Sequence, residues 1–110
     1  MDVLLTHGYH LWDDAHERKT MRPYPPLGIL YIAAHLEAKG VDVGVFDSTF
    51  MRAADFVREV QESKPAVVGI YANMLTRKRV LPMIRSAKRV GARVVVGGPD
   101  PANWPGEYLD

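Results

Sequence analysis

Four short apolar runs alternate along this chain with segments of helical character, and that alternation limits the fold more than any other feature. Val3-Leu4-Leu5-Thr6 closes on the turn signal His7-Gly8 and reads as a buried first strand. Leu27 to Lys39 is apolar at nearly every position until His35, with Pro25 and Pro26 before it and Gly40 after it. Proline costs least where a helix begins and glycine suits its end, so the segment predicts a helix, buried on most sides. Val41-Asp42-Val43-Gly44-Val45-Phe46 alternates and stops at Asp47, as a strand does. Ala53, Phe56, Val57 and Val60 repeat at i, i+3, i+4, i+7 with charges between them, which predicts an amphipathic helix stopped by Pro65. Ala66-Val67-Val68-Gly69-Ile70-Tyr71 is a continuous apolar run, expected of a strand covered on both faces. Val80, Met83, Ile84 and Ala87 return to helical spacing up to Gly91. Proline breaks a helix interior, so Pro82 places the start of this helix near Arg79 to Leu81. Arg93-Val94-Val95-Val96 is a fourth strand and runs into Gly97-Gly98-Pro99; the tail from Pro101 to Asp110 has room for a short helical turn at most.

The order β-α-β-α-β-α-β implies parallel strands, right-handed crossovers and helices on both faces. The expected fold is therefore an open, doubly wound parallel α/β sheet, Rossmann-like or flavodoxin-like. Such a sheet normally has a fifth strand, so the last strand is expected to be lacking here, leaving an edge open to self-association. Ligands of these sheets sit beyond the carboxyl ends of the strands. Those ends are His7-Gly8-Tyr9, Asp47-Ser48-Thr49, Tyr71-Ala72-Asn73-Met74 and Gly97-Gly98-Pro99-Asp100. The polar and aromatic stretch from Tyr9 to Pro26 is a long loop for a compact domain, and such loops are often functional.

A length of 110 residues suits one domain, residues 1–110, with one modest core. Fourteen basic and thirteen acidic residues leave a formal charge of +1, which argues against a nucleic-acid partner. The basic residues between Arg77 and Lys88 read as a solvated helix face. The absence of cysteine excludes disulfides, zinc-thiolate sites and iron–sulfur clusters held by this chain. The amino-terminal residues lack the pattern of a signal peptide and no apolar run is long enough to span a bilayer, so a cytoplasmic location away from membranes is expected.

The crevice loops can be tested against common ligands. A dinucleotide wants Gly-x-Gly-x-x-Gly after the first strand, yet that loop holds Gly8 and then no glycine before Gly28. A Walker loop and its lysine are missing, as is the aspartate that a receiver domain carries at the end of its third strand. Gly97 and Gly98 instead form a loop without side chains at two successive positions, where a bulky flat ligand or a nucleotide tail can approach the backbone. Taken alone, the same residues also suit a tight strand-to-helix turn.

The run Pro25-Pro26-Leu27-Gly28-Ile29-Leu30-Tyr31-Ile32-Ala33-Ala34-His35-Leu36-Glu37, then Gly40, then a strand ending in Asp47, resembles the start of the cobalamin-binding domains of radical S-adenosylmethionine enzymes. Val68-Gly69-Ile70-Tyr71-Ala72-Asn73-Met74 resembles their third-strand segment. Val94-Val95-Val96-Gly97-Gly98-Pro99, continuing to Pro105-Gly106-Glu107-Tyr108-Leu109, is similar to their fourth. That group includes methyltransferases and the anaerobic cyclase of magnesium protoporphyrin ester. The resemblance implies cobalamin over the carboxyl ends of the strands, its nucleotide tail lowered toward the sheet. Tyr71, Asn73 and Met74 would lie near the tail, Gly97, Gly98 and Pro99 would line it, and Leu27 and Gly28 would face the corrin. It also implies an iron–sulfur cluster and S-adenosylmethionine in a downstream radical S-adenosylmethionine domain, of which this chain would be a cobalamin-binding fragment.

The chain departs from the pattern at two places. Tyr71 stands where many such domains have a small hydroxyl residue, and Asp100 where histidine is frequent. Asp14-Ala15-His16 matches half of the Asp-x-His-x-x-Gly motif with which related domains place histidine on cobalt, but Lys19 replaces its glycine. The metal ligand is thus left unassigned. Two other readings remain: a stand-alone regulatory or protein-interaction domain with no cofactor, and a small enzyme using His7 or His10 with Asp47 as an acid–base pair.

Overall fold

The computed structural model describes residues 1–11 and 26–109. Four strands, β1 (Val3–His7), β2 (Val43–Phe46), β3 (Val67–Tyr71) and β4 (Arg93–Gly97), form one parallel sheet in the order β2-β1-β3-β4. Between them lie α1 (Leu27–Ala38), α2 (Ala53–Ser63) and α3 (Arg77–Arg89), and β4 is followed by the short α4 (Pro99–Asn103). This is the doubly wound α/β sheet that the alternation implies. The strand order reverses between β1 and β3, which is where such sheets open a crevice.

In-register neighbours point to the same face. Leu4, Thr6, Phe46, Val68, Ile70, Val94 and Val96 face α2 and α3, which bring Phe56, Val60, Val80, Met83, Ile84 and Ala87 to the main core. Phe46 and Phe56 meet edge to face, with centroids 5.6 Å apart. The opposite face carries Leu5, Gly69 and Val95 in one row and His7, Tyr71 and Gly97 in the next. Among the described residues α1 covers it, setting Ile29 and Ala33 on Leu5 and leaning over β1 and β2.

Two expectations about the helices are corrected. α1 is buried on one side alone: Leu27, Leu30, Tyr31 and Ile32 are exposed, because the helix rests on half a sheet face. α3 begins at Arg77, before Arg79, and carries Pro82 inside it. Proline forfeits one backbone hydrogen bond there, but Pro82 lies on the exposed side, while Val80, Met83, Ile84 and Ala87 hold the helix to the core. The tail is also more ordered than one turn, with α4 followed by a 3-10 turn over Pro105–Glu107 that brings Tyr108 into the core cluster. Among the described residues no helix is long and apolar enough to cross a membrane.

Candidate functional site at the carboxyl edge of the sheet

Among the described residues no helix covers the β3 and β4 half of the α1 face. Val95 is 60% exposed and Tyr71 43%, and a Cβ on Gly97 would meet nothing within 4 Å. Sequence reasoning covers β3 on both faces; the structure leaves its carboxyl end open on this one. Above the strand ends the rim is apolar, with Leu27 at the head of α1 and Met74 and Leu75 after β3, all exposed. Gly28 likewise has open space around it.

Backbone contacts fix the two loops that bound this opening. The Ala72 amide donates to the Gly97 carbonyl at 2.8 Å. Gly98 then takes φ 112°, where a side chain is strained, and a Cβ there would stand 2.4 Å from the Ala72 carbonyl oxygen and 2.9 Å from the Tyr71 ring. Asn73 shapes the β3 loop: its side-chain oxygen accepts from the amides of Leu75 and Thr76, both at 3.0 Å, and its own amide donates to Thr76 Oγ1. Its NH2 group remains as the donor that could reach a ligand. Pro99 opens α4 and is exposed beside the crevice. On the other side of the Gly97–Gly98 loop lies an open, mainly apolar pocket of about 290 Å³, walled in part by Val96, Pro101 and Tyr108.

A charged cluster ties the same loops together. Asp100 is 4% exposed and accepts from Arg77 Nε at 2.7 Å, Arg77 Nη2 at 2.8 Å and the Tyr108 hydroxyl at 2.5 Å. Hydrogen bonds from Arg77, then from Tyr108, hold the Asp100 carboxyl down to about 2. The hydrogen bond to Asp100 raises the Arg77 guanidinium above its usual range, while burial and Asp100 push the Tyr108 phenol up to about 12. Sequence reasoning misses Arg77, which it assigns to a solvated helix face, and Tyr108. The available signal is Asp100 itself, a carboxylate beside an apolar Gly-Gly-Pro loop that needs a partner if buried.

A second polar cluster closes the β1 and β2 ends. The Tyr9 amide donates to His7 Nδ1 at 3.1 Å, which leaves the ring proton on Nε2, and Nε2–H donates to Asp47 Oδ1 at 2.7 Å. The same oxygen accepts from Thr49 Oγ1 at 2.6 Å and the Thr49 amide at 3.1 Å. Burial pushes the Asp47 carboxyl up, but the bonds from Thr49 and His7 outweigh it and leave its pKa below the ordinary value. The His7–Asp47 contact that the acid–base alternative needs is present, but both ring nitrogens are already engaged. To accept a substrate proton His7 would have to give up the Tyr9 amide. His10 turns elsewhere, its Nδ1 lying 2.9 Å from the Met51 carbonyl.

The structure thus brings Tyr71, Asn73 and Met74 together with Gly97, Gly98 and Pro99 around one opening, with Leu27 and Gly28 at the head of the helix that leans over β1 and β2. Tyr71 lies along the Gly98 backbone and shares its register with the His7 and Gly97 row. Asp14, His16 and Lys19 lie outside the described residues. Among the described residues no group of three or more His, Asp or Glu is placed to hold a metal ion. The residues present suit a corrin: an apolar rim for a flat macrocycle, side-chain-free backbone for an appended nucleotide, and no charged side chain among Leu27, Gly28, Tyr71, Met74, Gly97 and Gly98.

Comparison with known proteins agrees with this geometry. A search of curated proteins gives no match. The family model for the B12 binding domain matches residues 19–110, most of the chain and three of the four crevice loops. With its parallel sheet and open carboxyl edge, the chain belongs to the B12 binding domain family, whose ligand is cobalamin.

Proposed function

We propose that this domain is the cobalamin-carrying module of a radical S-adenosylmethionine enzyme catalysing methyl transfer or ring-forming cyclase chemistry. The observation that carries the binding part is the half-face over β3 and β4, uncovered by any helix among the described residues, with Gly97 and Gly98 at its upper end and the apolar rim above it. Leu27 would support the corrin, Gly28 would let it come close to the head of α1, and the nucleotide tail would descend past Tyr71, Asn73, Met74, Gly97, Gly98 and Pro99. Bound cobalamin supplies a transferable methyl group or an exchangeable cobalt position. The residues of this chain bind it, orient it and keep competing water away.

The radical part of the proposal rests on the resemblance of the Pro-Pro-Leu-Gly helix and the Gly-Gly-Pro loop to that enzyme group. Reductive cleavage of S-adenosylmethionine needs an iron–sulfur cluster held by cysteines. This sequence has none, so the cluster and the S-adenosylmethionine belong to another domain, and residues 1–110 form one unit of a larger cytoplasmic enzyme. The test is anaerobic isolation of the native protein that carries this domain. An iron–sulfur signal in electron paramagnetic resonance, with release of 5′-deoxyadenosine from S-adenosylmethionine, is expected. A cobalamin protein with neither signal contradicts the radical assignment and leaves the cobalamin site intact.

A further inference from the structure

The Arg77–Asp100–Tyr108 cluster sits where the crevice loops meet. Arg77 opens α3 immediately after the β3 loop, Asp100 lies two residues beyond Gly98, and Tyr108 comes from the tail. Together with the Ala72–Gly97 hydrogen bond it closes a ring. The chain runs from Ala72 through Asn73 and Thr76 to Arg77, crosses to Asp100, and returns through Pro99 and Gly98 to Gly97. Candidate contacts on both loops, Asn73 and Met74 on one and Gly97, Gly98 and Pro99 on the other, lie inside that ring.

A buried ion pair is a poor source of net stability, because desolvating two charges offsets most of their attraction. Its best-attested use is to select one arrangement over near alternatives, and a two-point guanidinium–carboxylate contact does so in both distance and angle. Here every oxygen of a carboxylate that is 4% exposed is engaged, Oδ1 by Nη2 and Oδ2 by both Nε and the Tyr108 hydroxyl. Shifting either loop breaks at least one of these bonds. Arg77 also lies 3.8 Å from Glu107 through Nη1, so the tail is held at two points.

We infer that Arg77, Asp100 and Tyr108 are positioning residues that hold the β3 and β4 loops at the separation cobalamin needs, and that they set its affinity without touching it. The inference rests on the cobalamin reading of the crevice. Preorganised loops spare the ligand the cost of ordering them, so loosening the clamp lowers affinity in a chain that is still folded.

The test compares hydroxocobalamin dissociation constants of the wild type, Arg77→Lys, Asp100→Asn, Tyr108→Phe and, as a stability control, Ile84→Val, a core change on α3 outside the ring. Each is measured at a temperature where circular dichroism reports it fully folded. Arg77→Lys keeps the charge but not the fork, and a decrease in affinity of about ten-fold or more is expected for it and for Asp100→Asn. Tyr108→Phe is expected to weaken binding less, and Ile84→Val to leave it unchanged. A wild type that binds while folded Arg77→Lys and Tyr108→Phe bind equally well overturns the inference and leaves the cobalamin reading standing. A wild type that does not bind overturns that reading, and the inference with it.

Discussion

Gly98 passes so close to Ala72 that a Cβ would stand 2.4 Å from the carbonyl oxygen, and this contact sets the relation of the two crevice loops. One residue earlier, Gly97 faces open space. The two glycines therefore separate fold from ligand binding. Gly98→Ala should cost about 1–3 kcal/mol, from the strained φ and the displaced loop, and lower cobalamin affinity with it. Gly97→Ala should leave the unfolding midpoint nearly unchanged, and any loss of affinity it causes reports contact with the ligand. Denaturant unfolding read beside binding distinguishes them.

The Asp100 clamp gives stability a defined pH dependence. The carboxyl titrates near 2 in the folded chain against an ordinary value of 3.8, so its contribution is complete above about pH 4–5 and is lost as pH falls toward 2. Tyr108 titrates near 12 against an ordinary 10.0, so its share is present below pH 10 and lost as pH rises toward 12. Thermal melts between pH 2 and 5 should show a steeper acid decline in the wild type than in Asp100→Asn. Parallel declines would contradict the assignment.

Phe56 anchors α2 against Phe46 and is almost fully buried. Phe56→Ala should destabilise the domain by about 3–5 kcal/mol, enough to threaten folding in a chain this small. The check is the urea midpoint, with an unchanged slope if the cavity is the sole effect.

Asp47 acts as a local cap, accepting from Thr49 and His7. Asp47→Ala should cost about 1 kcal/mol, the usual worth of such a cap, without abolishing cobalamin binding. Complete loss of binding in a stably folded Asp47→Ala would move the site from the β3 and β4 loops toward β2.

The layout was legible because short apolar runs and helical periods are local signals. Val67-Val68-Gly69-Ile70-Tyr71 reads as a strand whatever surrounds it, and the parallel order follows from chirality and short connections. The Gly97–Gly98 loop was legible for the same reason, since side-chain-free backbone is visible residue by residue. What covers a face is not a local property. α1 is apolar nearly all round, which reads as deep burial, yet it packs mainly on β1 and β2, and Leu30 and Tyr31 stay exposed. Pro82 reads as a breaker because propensity counts the missing hydrogen bond and not the packing of Val80 and Met83. Arg77 and Asp100 are twenty-three residues apart, and no periodicity links them.

The most direct test of the cobalamin site is a visible-absorption titration of the folded chain with hydroxocobalamin, followed by desalting, alongside Gly97→Leu, whose side chain would fill the opening. The account predicts that corrin stays with the wild type with a shifted spectrum, and that Gly97→Leu, folded to the same extent, releases it. Corrin lost from the wild type, or kept equally by Gly97→Leu, would contradict a site over β3 and β4.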